Sequence, residues 1–182
     1  MNQPFISETR YTTTPGGERL AKELSVYELL DKLGIPYEGV DHGIAGTMDD
    51  CLLIDEVLGV TMCKNLFLRN QQKTEFHLLL MPGDKKFVTK ELSKQLGISR
   101  RSFAEAEYME AHLNITPGSV SVLGLMNDTQ HAVTLVIDQD VLNSEYIGCH
   151  PCINTSSLKI KTKDILEKFL PYTGHTYQVV DL

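Results

Sequence analysis

The stretch TMCKNLFLR at residues 61–69, followed by NQQKT at 70–74 and EFHLLLM at 75–81, decides the fold. Two apolar runs separated by a polar stretch spell an antiparallel hairpin with a longer loop. Alternation along the first run turns Lys64 to the face shared by Val60, Met62, Leu66 and Leu68. An ammonium on an apolar face is costly unless it meets an anion or a cleft; a lysine snorkelling from an edge is the plain alternative. The hairpin thus supplies the middle of a sheet and one polar group at odds with its neighbours.

Working outward toward the N-terminus, Thr47 is placed to cap a helix carrying Leu53, Ile54, Val57 and Leu58 before Gly59. Tyr37 to His42 reads as a strand. Before it, Ser25 and Glu28 form a capping-box pattern for a helix with Val26, Leu29, Leu30 and Leu33, stopped by Gly34 and Pro36. Residues 1–24, with three successive threonines and Pro15-Gly16-Gly17, are expected as a flexible leader, and residues 25–182 as one domain. Toward the C-terminus, Thr89 caps a helix ending at Gly97, and a further helix spans Glu105 to Leu113. Ala132 to Asp138 and Tyr146 to His150 read as strands, and Thr162 caps a helix expected to stop before Pro171. Strands interspersed with helices, without an internal repeat, predict a single α+β domain.

Composition narrows the function. A chain of 182 residues with 42% hydrophobic content is long enough for one core. Seventeen basic against twenty-four acidic residues give a net charge of −7, which argues against a general nucleic-acid coat. Six of the seventeen cluster in a short stretch (Lys85, Lys86, Lys90, Lys94, Arg100 and Arg101), as a local patch for an acceptor stem or as a solvated helix face. No apolar run approaches the roughly 18 residues of a membrane span, and the polar start lacks the layout of a signal peptide, so a cytoplasmic protein is expected. The four cysteines are too sparse for a disulfide framework and are read as thiols.

Cys149-His150-Pro151-Cys152 has the spacing of a redox dithiol, but no amphipathic helix opens after it and no strand-then-helix pattern surrounds it. With Cys51, Cys63 and the scattered histidines it matches no common zinc spacing. Phosphate-loop, dinucleotide, nucleophile-elbow and metalloprotease motifs are absent from the sequence. Thr116-Pro117-Gly118-Ser119-Val120-Ser121 is a small-residue loop whose amides could approach a ligand, or a plain turn after a helix.

Taken together, Cys63-Lys64-Asn65-Leu66-Phe67-Leu68, the Thr116 to Val120 loop, Asn127-Asp128-Thr129, His150-Pro151 with Asn154-Thr155, and the closing Thr173-Gly174-His175 and Val179-Val180-Asp181-Leu182 resemble the YbaK/prolyl-tRNA synthetase-associated domain family. The resemblance runs from about Ser25 to the end of the chain, and within the family it leans toward free-standing alanyl-tRNA(Pro) deacylases. It implies a mixed, curved β-sheet flanked by helices. It also implies a trans-editing enzyme that hydrolyses the ester of tRNA(Pro) mischarged with alanine, acting as a second sieve without metal or organic cofactor.

The family's lysine falls on Lys64, to hold the terminal phosphate or ester region, and its glycine loop on Gly118, Ser119 and Val120, whose amides would polarise the ester carbonyl. Asn65, Thr47, Asn154 and His150 fall on substrate-side positions; His150 is not assigned as a base, since the substrate's ribose hydroxyl is thought to assist in related domains. The partners implied are the acceptor end of mischarged tRNA(Pro) and prolyl-tRNA synthetase. A tRNA-binding or regulatory module, and a deacylase for serine or cysteine, are the alternatives. Three departures stand out: Val122 where a proline often follows the loop, Cys149 where phenylalanine often precedes the histidine, and Gly43-Ile44-Ala45-Gly46, which lacks the two prolines expected after His42. With Cys149 read as a pocket wall, Cys149→Phe is expected to narrow the pocket.

Overall fold

The computed structural model describes residues 5–45 and 48–182. The hairpin forms as expected: β3 (Cys63–Arg69) runs antiparallel to β4 (Phe76–Pro82), with Lys64 opposite Met81 and Leu68 opposite His77. β1 (Ile6–Tyr11) and β2 (Tyr37–His42) precede it; β5 (Ser102–Phe103), β6 (Val133–Asp138), β7 (Tyr146–Cys149), β8 (Ser156–Lys161) and β9 (Tyr177–Val180) follow. The helices are α1 (Ala21–Lys32), α2 (Met48–Leu58), α3 (Thr89–Leu96), α4 (Ala106–Leu113) and α5 (Gln139–Leu142), with a 3-10 turn at Val122–Asn127. The α+β class holds, but the strands divide between two sheets rather than one. One sheet has the order β1-β2-β8-β7, and the other is mixed, with the order β5-β3-β4-β6-β9.

The two faces of the hairpin explain the layering. Phe67 joins the main core with Leu78, Leu80, Leu135 and Ile137, beneath α1 and α4. Leu66, Leu68, Leu79 and Met81 belong to a second cluster covered by Leu92 of α3. Lys64 pairs with Met81, a member of that second cluster, so it does share an apolar face.

The sheets meet at a parallel bridge between Met62 and Gly148. Glycine is required there by proximity. A Cβ on Gly148 would lie 2.7 Å from the Met62 sulfur, and one on Gly83 would lie 2.3 Å from the Met62 carbonyl oxygen.

Three local expectations are corrected. Residues 6–11 belong to the fold: β1 pairs with β2, and the Tyr11 ring occupies the space over Gly39, where a Cβ would lie 2.2 Å from it. β1 is half-exposed, so its pattern lacks the apolar alternation that would announce it. Helix α1 begins at Ala21, making Ser25 a mid-helix serine whose hydroxyl donates to the Ala21 carbonyl instead of capping. The last helix does not stop before Pro171. It runs as α6 (Thr162–Asp164), a π segment (Ile165–Phe169) and α7 (Leu170–Thr173), with Pro171 inside the continuous run just after the π segment, the irregularity that goes with a proline's missing N–H.

Candidate functional site

Beside the seam lies a largely apolar cavity of about 380 Å³, toward the lower end of the roughly 300–1,000 Å³ usual for small-molecule sites. Its walls come from the segment after β2, helix α2, the start of β3, the turn after β4, the Gly118 loop and the segment joining β7 to β8. Four of the expected residues meet there: Lys64, Gly118, His150 and Asn154. Gly118 has φ +86°, a backbone only glycine adopts freely, and a Cβ there would lie 3.6 Å from the Asn154 amide.

Lys64 donates to the carbonyl of Lys85 in the turn after β4. An ammonium has three donors, and among the described residues two remain for an anion or ester oxygen. His150 is fixed by its partners. Its Nδ1 lies 2.8 Å from the Ser156 carbonyl oxygen, which only accepts, so Nδ1 carries the proton. Burial pushes the ring below the ordinary imidazole pKa and keeps it neutral, so Nε2 is bare, with no protein hydrogen bond among the described residues. Behind it, His42 donates from Nδ1 to the Gly43 carbonyl at 2.7 Å and accepts the Ser157 hydroxyl proton at Nε2 at 2.8 Å. Ser157 Oγ sits 3.4 Å from His150 Nδ1. The site thus presents one cation, one imidazole acceptor, one amide and two carboxylates, Asp55 and Asp84, against largely apolar walls.

The remaining expected residues stand elsewhere. Asn65 does not line the cavity. Its Oδ1 accepts the Val122 N–H at 3.0 Å and its Nδ2 donates to the Cys63 carbonyl at 3.2 Å, tying the glycine loop to β3. A proline at position 122 would have no N–H to give, so the valine there is what permits this tie. Ser119 is buried and its N–H donates to the Thr116 carbonyl, so it is not free to hold an oxyanion; Val120 packs against the main core. Thr47 lies outside the described residues.

Cys149 is not a pocket wall. It is fully buried in the main core, so Cys149→Phe would overpack the core rather than narrow the cavity. Burial raises the Cys149 thiol and pushes Cys152 up to about 12, the reverse of a reactive dithiol. Of the six-residue basic cluster, Lys85 pairs with Asp138 and Asp140, and Arg101 is buried against Glu75. Lys86, Lys90, Lys94 and Arg100 are exposed.

Sequence reasoning missed several walls. Cys63 lines the cavity, its thiol pushed up to about 12 by burial. Asp55 lines it too. Burial raises its carboxyl pKa, while the Met62 N–H donates to it at 3.1 Å. The signal was there: Cys51, Asp55 and Leu58 follow helical spacing, placing a carboxylate on an apolar stripe. Ile44 and Leu52, both exposed, stand at the edge of the same cavity.

Residues 45–168 match the model of the aminoacyl-tRNA editing domain family. The prolyl-tRNA editing protein ProX of Acetoanaerobium sticklandii is 29% identical, over 87% of this chain and 96% of its own. Prolyl-tRNA synthetase associated domain-containing protein 1 of Danio rerio is 31% identical, over 86% of this chain and 84% of its own. Among solved structures, one described as a proposed trans-editing enzyme for prolyl tRNA synthetase superposes with a TM-score of 0.66 at 15% identity, covering 91% of this chain and 98% of that one. That likeness is one of fold.

Proposed function

The chain belongs to the aminoacyl-tRNA editing domain family, and from that premise we propose that it is a trans-editing deacylase that hydrolyses the ester of alanyl-tRNA(Pro). The observation that carries the reading is the convergence of Lys64, Gly118, His150 and Asn154 on one small apolar cavity, from three separate segments of the chain.

Each group has a task the geometry suits. Lys64, with two donors free among the described residues, binds the terminal phosphate or the ester region of the acceptor end and orients it. The positive φ of Gly118 brings loop backbone close to the ester with no side chain in the way, leaving its amide to polarise the carbonyl. Asn65 acts one step back, holding that loop on β3. The bare Nε2 of His150 accepts a hydrogen bond from an N–H or O–H of the aminoacylated ribose. The apolar walls admit a small side chain and exclude a larger one. One or two methylenes that merely leave space are worth about 1–3 kcal/mol, whereas overlap with a tight wall costs more, so discrimination rests on exclusion.

The substrate reaches the site by its acceptor end, with the exposed lysines and Arg100 near α3 available to the stem phosphates, and association with prolyl-tRNA synthetase would deliver it. Among the described residues no helix is long and apolar enough to cross a membrane. A charged-tRNA substrate supports a cytoplasmic site of action.

The test is hydrolysis of tRNA(Pro) charged with alanine, serine, cysteine or proline by the pure protein. Fast loss of the alanyl ester, slower loss of the seryl ester, whose hydroxyl lacks a partner, and almost none of the prolyl ester are expected. Equal rates for alanyl and prolyl esters would leave a nonselective esterase, and no hydrolysis of any would leave a binding module.

A further inference from the structure

The lysine of the cavity depends on a second lysine that never enters it. The Lys64 ammonium is held by the Lys85 carbonyl, and that carbonyl lies in the turn leaving β4, where the Lys85 N–H donates to the Pro82 carbonyl at 3.2 Å. The turn is secured at two ends. At one, Gly83 is pressed against the Met62 backbone at the seam between the sheets. At the other, the Lys85 side chain spans to Asp138, its Nζ lying 3.0 and 3.1 Å from the two carboxylate oxygens and 2.8 Å from Asp140.

Asp138 is fully buried, and every further bond it makes adds rigidity. Its Oδ1 accepts the Asp140 N–H at 2.9 Å, starting α5, and its Oδ2 accepts the Leu182 N–H at 3.0 Å. Lys85 is the one side-chain cation within reach of this carboxylate among the described residues. Removing it frees the turn and strands a buried negative charge.

We propose that Lys85 and Asp138 are positioning residues, an ion pair that fixes the turn after β4 so that the Lys85 carbonyl aims the Lys64 ammonium at the substrate. The inference rests on the deacylase reading, with Lys64 as the group that touches substrate. A shift of about an ångström in a positioning group costs on the order of a hundredfold in rate, and partial release of one turn should cost less.

The decisive experiment is a double-mutant cycle on alanyl-tRNA(Pro) hydrolysis. Lys85→Met keeps the stem and removes the charge; it should lower kcat about tenfold with KM within about threefold. Lys85→Arg, which keeps the pair, should stay within about threefold of wild type. In a Lys64→Ala background, Lys85→Met should cause no further loss, because the group it aims is gone. Asp140→Asn, at the exposed end of the pair, gives a version that spares folding, with a kcat loss of about twofold to threefold.

A folded Lys85→Met protein with wild-type kcat, or losses that multiply in the double variant, would overturn the inference. The NMR signal of the Lys64 side chain separates this from failure of the functional reading. It should move in Lys85→Met and stay in place in Lys85→Arg, whether or not the protein hydrolyses any ester. An unmoved signal in Lys85→Met counts against the pair.

Discussion

Two histidines, His150 at the cavity and His175 near the C-terminus, sit in hydrogen-bonded clusters of similar size and opposite character. His175 is closed. Its Nε2 lies 2.9 Å from buried Asp128, its Nδ1 2.9 Å from the Thr173 hydroxyl, and Asp128 also accepts the N–H groups of Ala132 and Val133. Every polar atom there is spent on joining the segment after α7 to the start of β6. His150 is open: one ring nitrogen is fixed by the Ser156 carbonyl, and the other is left for the cavity. Both lie in motifs that the family resemblance picks out, so motif membership does not separate them. Unspent hydrogen-bonding capacity facing a cavity does.

The sharpest way to break that comparison is through the group with the most unspent capacity. Lys64→Ala should lower alanyl-tRNA(Pro) hydrolysis by at least about a hundredfold while leaving the melting temperature within a few degrees, since the residue sits at a cavity wall and is only partly buried. Kinetics and thermal unfolding on the same preparation check it. A folded variant with wild-type activity would remove Lys64 from the site.

Substitutions that keep ring volume test the two histidines against each other. His150→Phe removes the acceptor, and with it the donor to the Ser156 carbonyl, and should cost on the order of tenfold in activity per folded molecule with a loss of about 1 kcal/mol in stability. His175→Phe leaves Asp128 with backbone donors alone and should cost about 2 kcal/mol of stability, the order of a lost hydrogen bond to a carboxylate, with activity per folded molecule unchanged. Urea unfolding and active-fraction kinetics distinguish them. If both variants lose activity and neither loses stability, the open and closed distinction fails.

What was legible in the sequence follows the same line between local and long-range. The hairpin, the odd face of Lys64 and the glycine loop were readable because alternation and turn chemistry act over a few residues. The division of strands into two sheets was not. It depends on Gly83 and Gly148 both crowding Met62, positions far apart in the chain. Cys149 was misread as a pocket wall because the resemblance places it beside His150, and adjacency in the chain does not say which side chain the core takes. Asn65 stood in the right motif with the wrong task, since its partner Val122 lies 57 residues away.

Acid probes the buried imidazoles together. Burial lowers the pKa of His42 and His150, and burial with the nearby Arg101 guanidinium lowers His77 to about 4. The unfolded chain takes up protons as pH falls through the ordinary imidazole value near 6.5, while the folded rings stay neutral until lower pH. Stability is therefore full above about 6.5 and declines between there and about 4. Melting temperature measured across that window should fall with pH, and His77→Phe should flatten part of the slope. A melting temperature that rises on acidification would mean that these rings are charged in the folded protein.

The smallest effect belongs to the cysteines, and it tests the comparison where the sequence is most suggestive. Cys149 and Cys152 carry the spacing of a dithiol and flank His150, yet both thiols are buried in the main core, with their pKa values raised by burial. A thiolate is the reactive form, so these groups are poor nucleophiles at neutral pH, and ester hydrolysis by an oriented water has no step for them. Cys149→Ala with Cys152→Ala should keep activity within about threefold. The cost should appear in stability instead, about 1 kcal/mol per buried sulfur removed, because the packed surroundings of each relax only in part. Thermal unfolding should therefore register the double variant more clearly than kinetics does. Complete loss of activity in a normally folded double variant would move the chemistry to the sulfurs, and the two spent thiols would then have been the open ones.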